Sequence, residues 1–351
     1  MSEKVRIGFV GVGSMGQCAH LKNYAVLPDC EVVALAELRR DTAARVAGRY
    51  GVPNVYGDYS EMLAAESLDA LVASQPFRRH GQILPDLLAA GLPVFCEKPL
   101  AGAVEVAERI VKAVDASDGW LMVGYNKRSD PATICAKAEI DRLKGSGELG
   151  ALRYVRILMP PGDCIAGGFA DRITGDDGRL ELDQDPPAAD MDAETYDAYV
   201  KFVNYYIHQV NLMRHLLGEP YQVTYADPSG VLLVGRSAGG VACTIEMAPY
   251  KTTVDWQESA LICFERGTVE LELPAPLAAN RPGRVQFLRD PGDGATPEIV
   301  TPQLPWVHSM KQQALNFIRA VKGEAKPPCE AAEALEDLRL ARDYLRLLRG
   351  A

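Results

Sequence analysis

Gly11, Gly13 and Gly16, with Ser14 and Met15 ahead of the last, form a G-x-G-x-x-G run directly after the apolar stretch VRIGFV. Between a strand and a helix, such a run gives a tight turn, bare backbone for a pyrophosphate to approach, and helix-end amides that favour its charge. Glu37 follows about 20 residues later, where a carboxylate can hydrogen-bond the hydroxyls of an adenosine ribose. Its charge would repel the extra 2′-phosphate of NADP, whereas Arg39 and Arg40 beside it could bind that group. NAD is the expected cofactor and NADP the alternative.

A second chemical stretch is NYYIHQVNLMRHLLGEP, Asn204 to Pro220. At about 100° per residue, Asn204, His208, Asn211 and His215 fall on one polar stripe of a helix whose remaining positions are largely apolar. A helix apolar nearly all round is mostly buried, and its polar groups then need a cavity, a ligand or polar neighbours. The stripe reads as a catalytic surface, a metal site or the polar edge of a buried helix. A metal on His208 and His215 would need a third ligand and closer side chains than two helical turns supply, so none is expected. Asn211 and His215 read as structural.

Cys96-Glu97-Lys98-Pro99 stands at the mouth of another strand, beyond its carboxyl end, where open parallel sheets place ligands. A surface Glu-Lys pair ahead of a helix-starting proline has the same sequence. Cys96 itself, in an apolar strand, reads as an inert buried thiol.

The elements that must position these residues follow from patterning. VRIGFVGVG, EVVALAEL, LDALVASQP, LPVFCEKP and WLMVGYNKR read as strands, with helical patterns near 41–50, 80–90 and 102–117 between them. That alternation implies a doubly wound parallel sheet covered on both faces, an α/β fold. After about residue 130 the character changes. A helix near 132–144, the strand ALRYVRILM and the runs VTYA, VLLVG, VACTIEM, SALICFE, TVELELP and RVQFLR predict an α+β domain on a mostly antiparallel sheet. Helices near 309–322 and 330–349 end the chain. Residues 160–199, rich in Pro, Gly and Asp, lack the periodicity of a packed element and read as a lid, an oligomer contact or a solvated insertion. The expected division is therefore 1–130 and 131–351.

With 351 residues and 48% hydrophobic content, the chain can form two ordinary domains. No signal-like or membrane-length apolar run occurs, so a cytoplasmic protein away from membranes is expected. The eight cysteines form no C-x-x-C pair and read as reduced thiols. A net charge of −10 argues against a nucleic-acid surface.

The chain resembles the glucose-fructose oxidoreductase / inositol dehydrogenase (Gfo/Idh/MocA) family in GVGSMG, SQPFRRH, AAGLPVFCEKPLA, GYNKRSDP and the H-x-x-N-L-x-R-x-L-L-G stretch. The resemblance implies an N-terminal Rossmann domain and a C-terminal domain on a mostly antiparallel sheet. It implies that Lys98 contacts the nicotinamide ribose and a substrate oxygen, with Glu97 beside it and Pro99 fixing the turn. It further implies that Ser74, Gln75 and Pro76 border the nicotinamide half, that Asn126 and Arg128 line the substrate site, and that His208 is the acid/base histidine. His80 is expected to begin a helix and support the cofactor. A homodimer or homotetramer and a sugar, cyclitol or sugar derivative as substrate are expected on the same analogy.

One departure stands out. The family commonly carries an aspartate four residues before its histidine, and this chain has Asn204, whose amide can orient but cannot stabilise an imidazolium by charge. In the expected reaction, neutral His208 takes the proton of a secondary hydroxyl, Lys98 stabilises the developing charge on oxygen, and Asn204 orients the substrate. A redox-neutral elimination or epimerisation on retained NAD, and a non-catalytic sensor, are the alternatives.

Overall fold

β-branched and aliphatic residues dominate the six short strands of the first unit: β1 (Val5–Val10), β2 (Cys30–Ala36), β3 (Asn54–Tyr56), β4 (Ala70–Ala73), β5 (Val94–Glu97) and β6 (Leu121–Gly124). The computed structural model describes residues 4–178, 180–248 and 250–350. In it the six strands pair in parallel in the order β3-β2-β1-β4-β5-β6, as a doubly wound sheet requires. Every residue of β4, β5 and β6 is buried, which is why their sequences run apolar rather than alternating. The strand order reverses beside β1, the position at which such sheets open a crevice for ligands beyond their carboxyl ends.

Helices connect the strands. A π-helical turn over Gly16–Leu21 runs into one α-turn, α1 (Lys22–Tyr24), and α2 (Arg40–Tyr50), α3 (Tyr59–Ala65), α4 (His80–Leu88) and α5 (Val104–Asp115) follow. α2 stops at Gly51, whose φ of 69° few other residues adopt readily. Asp58 caps α3 by accepting a bond from Ser60 N at 2.6 Å.

The chain divides between the two units within α7 (Ala193–Tyr205), and the second unit carries α6 (Pro131–Ser146), β7 (Leu152–Leu158), α8 (Ile207–Leu217) and strands β8 (Tyr221–Ala226), β9 (Leu232–Ser237), β10 (Ala242–Glu246), β11 (Ser259–Phe264), β12 (Gly267–Glu272), β13 (Arg284–Arg289) and β14 (Glu298–Val300). They form an eight-stranded sheet ordered β14-β13-β12-β11-β7-β10-β9-β8, antiparallel except where β10 runs parallel to β7. Buried and part-exposed residues alternate along β10 and β11, the period-2 pattern of a sheet with one buried face. α9 (Ser309–Val321) and α10 (Ala331–Arg349) complete the chain.

Three expectations are corrected. The single boundary at 130 gives way to interleaving: one unit is 1–125, 168–200 and 313–338, the other 126–167, 201–312 and 339–351. Packing explains the return of α9. Phe317 meets Phe95 at 5.9 Å, Trp120 at 5.6 Å and Tyr24 at 6.3 Å between ring centroids, all edge-on, and burying one such ring stabilises by roughly 1.5–3 kcal/mol. The segment 160–199 is not uniformly unpacked either, since α7 begins at Ala193 and residues from Gly168 belong to the first unit. Finally, the expected continuous helix through Asn204 is interrupted at Tyr206, so Asn204 lies on α7 while His208, Asn211 and His215 lie on α8. Among the described residues no helix is long and apolar enough to cross a membrane.

Candidate active site

The glycine turn behind β1 is built from steric necessity at two of its three positions. Gly11 has φ +90°, and a Cβ there would lie 2.6 Å from the Ser74 carbonyl; a Cβ at Gly16 would lie 2.3 Å from the Gly11 carbonyl. Neither site admits a side chain without backbone movement. Gly13 differs, because the nearest atom to its added Cβ is Arg39 Nη2 at 3.9 Å. Its open face is the room a pyrophosphate needs.

Glu37 follows β2 directly and is 8% exposed. Its carboxylate accepts the Val12 amide at 2.9 Å and holds Arg39 through Oε1–Nε and Oε2–Nη2 bonds of 3.0 and 2.8 Å. Burial pushes this carboxyl up, but the bonds from Arg39 and the Val12 amide outweigh burial and hold it below the usual carboxylate range. By their sequence position Arg39 and Arg40 could bind the 2′-phosphate of NADP, the alternative to the expected NAD. In the structure Arg39 is engaged by Glu37, and Arg40 lies over Gly57, where a Cβ would meet its guanidinium.

These groups face a cavity of about 730 Å³, a size ordinary for cofactor sites. Gly11, Gly13, Glu37 and Arg39 line one part of it, and Ser74, Gln75 and Pro76, beyond the carboxyl end of β4, line another. Thr174, Gly175, Asp177 and Gly178, from the segment for which a lid was one of the sequence readings, contribute a further wall. That segment is tied down at several points. Arg172 donates to Ser14 Oγ at 2.9 Å, and the Gln17 amide bonds the Ile173 backbone in both directions at 2.7 and 3.0 Å. Asp177 accepts from Asp41 N, Thr42 N and Thr42 Oγ1 at 3.0, 2.8 and 2.6 Å. Met15 precedes the π-helical turn with α-helical backbone angles.

At the end of β5, Glu97 is buried and Lys98 is partly exposed. Glu97 Oε2 accepts the Lys98 amide at 3.0 Å, and Oε1 lies 2.5 Å from His20 Nε2. Burial pushes the Glu97 carboxyl up, yet the His20 bond and the Lys98 charge hold it below its usual range. Sequence reasoning missed His20, which sits in the π-helical turn with its ring 5.1 Å from Phe95. Its one available signal was a histidine in a turn of otherwise uncharged residues. His80 starts α4, fully buried, with Nδ1 3.0 Å from the Leu100 carbonyl and Nε2 3.2 Å from the Gln75 carbonyl. Burial lowers its pKa against the opposing pull of the two carbonyls, and the neutral ring, with one N–H, donates to one of them. Burial raises the Cys96 thiol far above its ordinary value, which makes it inert.

In the second unit, Asn126 and Arg128 occupy a short 3-10 turn, Asn126–Ser129, and both are buried. Asn126 donates to Ser309 Oγ at 2.9 Å, while its Oδ1, also buried, has no hydrogen-bond partner. Arg128 donates through Nε to Asn211 Oδ1 at 2.6 Å, which fastens α8 to this turn. Lys127 pairs with buried Glu258, which also receives Gln209 Nε2 at 2.8 Å and Trp256 Nε1 at 3.0 Å. His208 is partly exposed and Asn204 exposed, so these two face outward from the stripe while Asn211 is buried. Burial, with the charges of Arg128 and Lys137, holds His215 well below the usual histidine range and therefore neutral.

Residues 5–125 match the family model described as "Oxidoreductase family, NAD-binding Rossmann fold", Gfo/Idh/MocA. The uncharacterized oxidoreductase YrbE of Bacillus subtilis (strain 168) is 21% identical over 97% of this chain and 94% of its own length. Inositol 2-dehydrogenase of Rhizobium meliloti (strain 1021) is 29% identical over 67% of this chain and 61% of its own. Among solved structures, levoglucosan dehydrogenase in complex with NADH superposes with a TM-score of 0.71 at 17% identity, covering 99% of this chain and 98% of that one. At that identity the likeness speaks for the fold.

Proposed function

We propose that this chain, which belongs to the Gfo/Idh/MocA family of NAD-binding oxidoreductases, oxidises a secondary hydroxyl of a sugar, cyclitol or sugar derivative, or reduces the corresponding ketone. The observation that carries the reading is the cavity at the carboxyl ends of β1, β2 and β4, with open space at Gly13 and the Glu37 carboxylate in one wall. NAD, when bound there, supplies the hydride acceptor.

The chain's own groups supply the rest. Gly11 makes the tight turn, Gly13 leaves backbone room for the diphosphate, and Glu37 accepts from the ribose hydroxyls. The Lys98 ammonium stabilises negative charge developing on the substrate oxygen. His208 takes the hydroxyl proton, directly or through water, and Asn204 orients the hydroxyl by hydrogen bonds. The inositol 2-dehydrogenase relatives and the fold shared with levoglucosan dehydrogenase support the polyol class of substrate. Assembly as a homodimer or homotetramer goes with this reading and is checked by light scattering.

The test is dinucleotide reduction by purified protein across sugars, cyclitols and glycosides, with Lys98→Ala and His208→Ala alongside. Turnover that falls by about 100-fold or more in folded variants is expected. Unchanged turnover in either variant would remove that residue from the mechanism.

A further inference from the structure

Asp177 lies 135 residues after Thr42 in sequence, yet it supplies the carboxylate at the start of α2. The helix has no side-chain cap of its own at Arg39. Its first-turn amides are donors that an anion would otherwise take, and they stand directly after the strand whose end carries Glu37. Asp177 receives three of the donors available at that place, Asp41 N, Thr42 N and Thr42 Oγ1. Arg39, the lining cation beside this helix end, is engaged by Glu37.

From this we infer that Asp177 is a determinant of NAD over NADP: its carboxylate occupies the anion position that the 2′-phosphate of NADP would need. The inference rests on the dinucleotide reading above and deepens it. Two carboxylates from distant parts of the chain thus divide the task. Glu37 repels the 2′-phosphate from the ribose, and Asp177 fills the helix end that would compensate that phosphate.

The segment is held independently of Asp177, which makes its side chain testable. Arg172, Ile173 and Gly175 fasten it to Ser14, Gln17 and Thr42. Gly175 approaches α2 so closely that a Cβ would lie 2.5 Å from Thr42 N. Asp177→Ser removes the charge while the neighbouring anchors remain, and Gly175→Ala displaces the segment sterically.

The experiment is calorimetric titration of the full chain with NAD and with NADP, in wild type, Asp177→Ser and Gly175→Ala, with thermal melting to confirm folding. Wild type is expected to prefer NAD, and Asp177→Ser to bind NADP about ten-fold more tightly while NAD affinity moves by no more than about three-fold. Gly175→Ala should shift the NADP:NAD ratio in the same direction. An unchanged ratio in both variants, or equal affinity for the two dinucleotides in wild type, overturns the inference. Binding of neither dinucleotide by folded wild type overturns the cofactor reading itself, and the inference with it.

Discussion

His20 Nε2 stands 2.5 Å from Glu97 Oε1, joining the turn that follows the glycine run to the end of β5. The second oxygen of the same carboxylate accepts the Lys98 amide. His20 therefore positions Lys98 through one intervening side chain. His20→Ala should cost about 1–3 kcal/mol of stability by leaving a buried carboxylate short of a donor. It should also lower kcat by about ten-fold, a modest misplacement of Lys98, with the Kd for NAD nearly unchanged. His20→Gln, which keeps a donor, should recover part of kcat. A kcat for His20→Ala equal to wild type would show that the pair holds the fold alone.

Asp130 caps α6, and its Oδ1 accepts both Ala132 N and Gly283 N at 2.9 Å. Burial pushes its carboxyl up from 3.8 to about 6. Because the folded value is the higher one, the proton is held more tightly in the folded state. The associated stability is present at low pH and is lost as pH rises through about 6, by at most about 3 kcal/mol. Asp130→Asn keeps the accepting oxygen and has no proton to lose. Denaturant unfolding of that variant should show a flatter profile between pH 4 and 7, and an unaltered slope would rule the group out.

The pair Lys127–Glu258 is buried on both sides, with side chains 3% and 0% exposed. Lys127→Met strands a buried carboxylate and should destabilise by about 3–5 kcal/mol in urea. Replacing both partners with Met and Leu should restore most of that loss. Since Glu258 also holds Gln209, the neighbour of His208, the single variant should lose kcat beyond what its unfolded fraction explains. Proportional loss would refute the second half of this prediction.

Asn204→Asp places a carboxylate four residues ahead of His208. If charge is what the amide lacks, kcat at neutral pH should rise several-fold. The rise should fall well short of the ~10⁴-fold effect of a buried triad aspartate, because residue 204 is exposed. Equal or lower kcat with the best polyol substrate would show that the amide suits this reaction as it stands.

Much of the fold was legible because it is local. Apolar runs bounded by turns marked β1, β2, β4, β5 and β6, and the glycine spacing marked the turn that Gly11 and Gly16 require sterically. β3 and β14, three residues each, were too short to leave a periodic signal. Of the polar stripe, Asn211 is buried and does have a partner, Arg128, which spacing could not name. Arg128 reaches Asn211 across 83 residues, and Gln17 reaches Ile173 across 156. Such pairings leave no trace in spacing, since any polar residue with the right reach would look the same along the chain. His20 went unseen for the same reason: its partner lies 77 residues away.

The interleaving of the two units bears on how cofactor preference can be inherited. Phe317, packed among Phe95, Trp120 and Tyr24, is encoded far beyond the first 130 residues, and so is Asp177. A recombination that exchanged the N-terminal third between two relatives would carry Glu37 across and leave Asp177 behind. The offspring would combine one parent's ribose end with the other's occupant of the α2 terminus, so a clean transfer of the trait needs at least two crossover points.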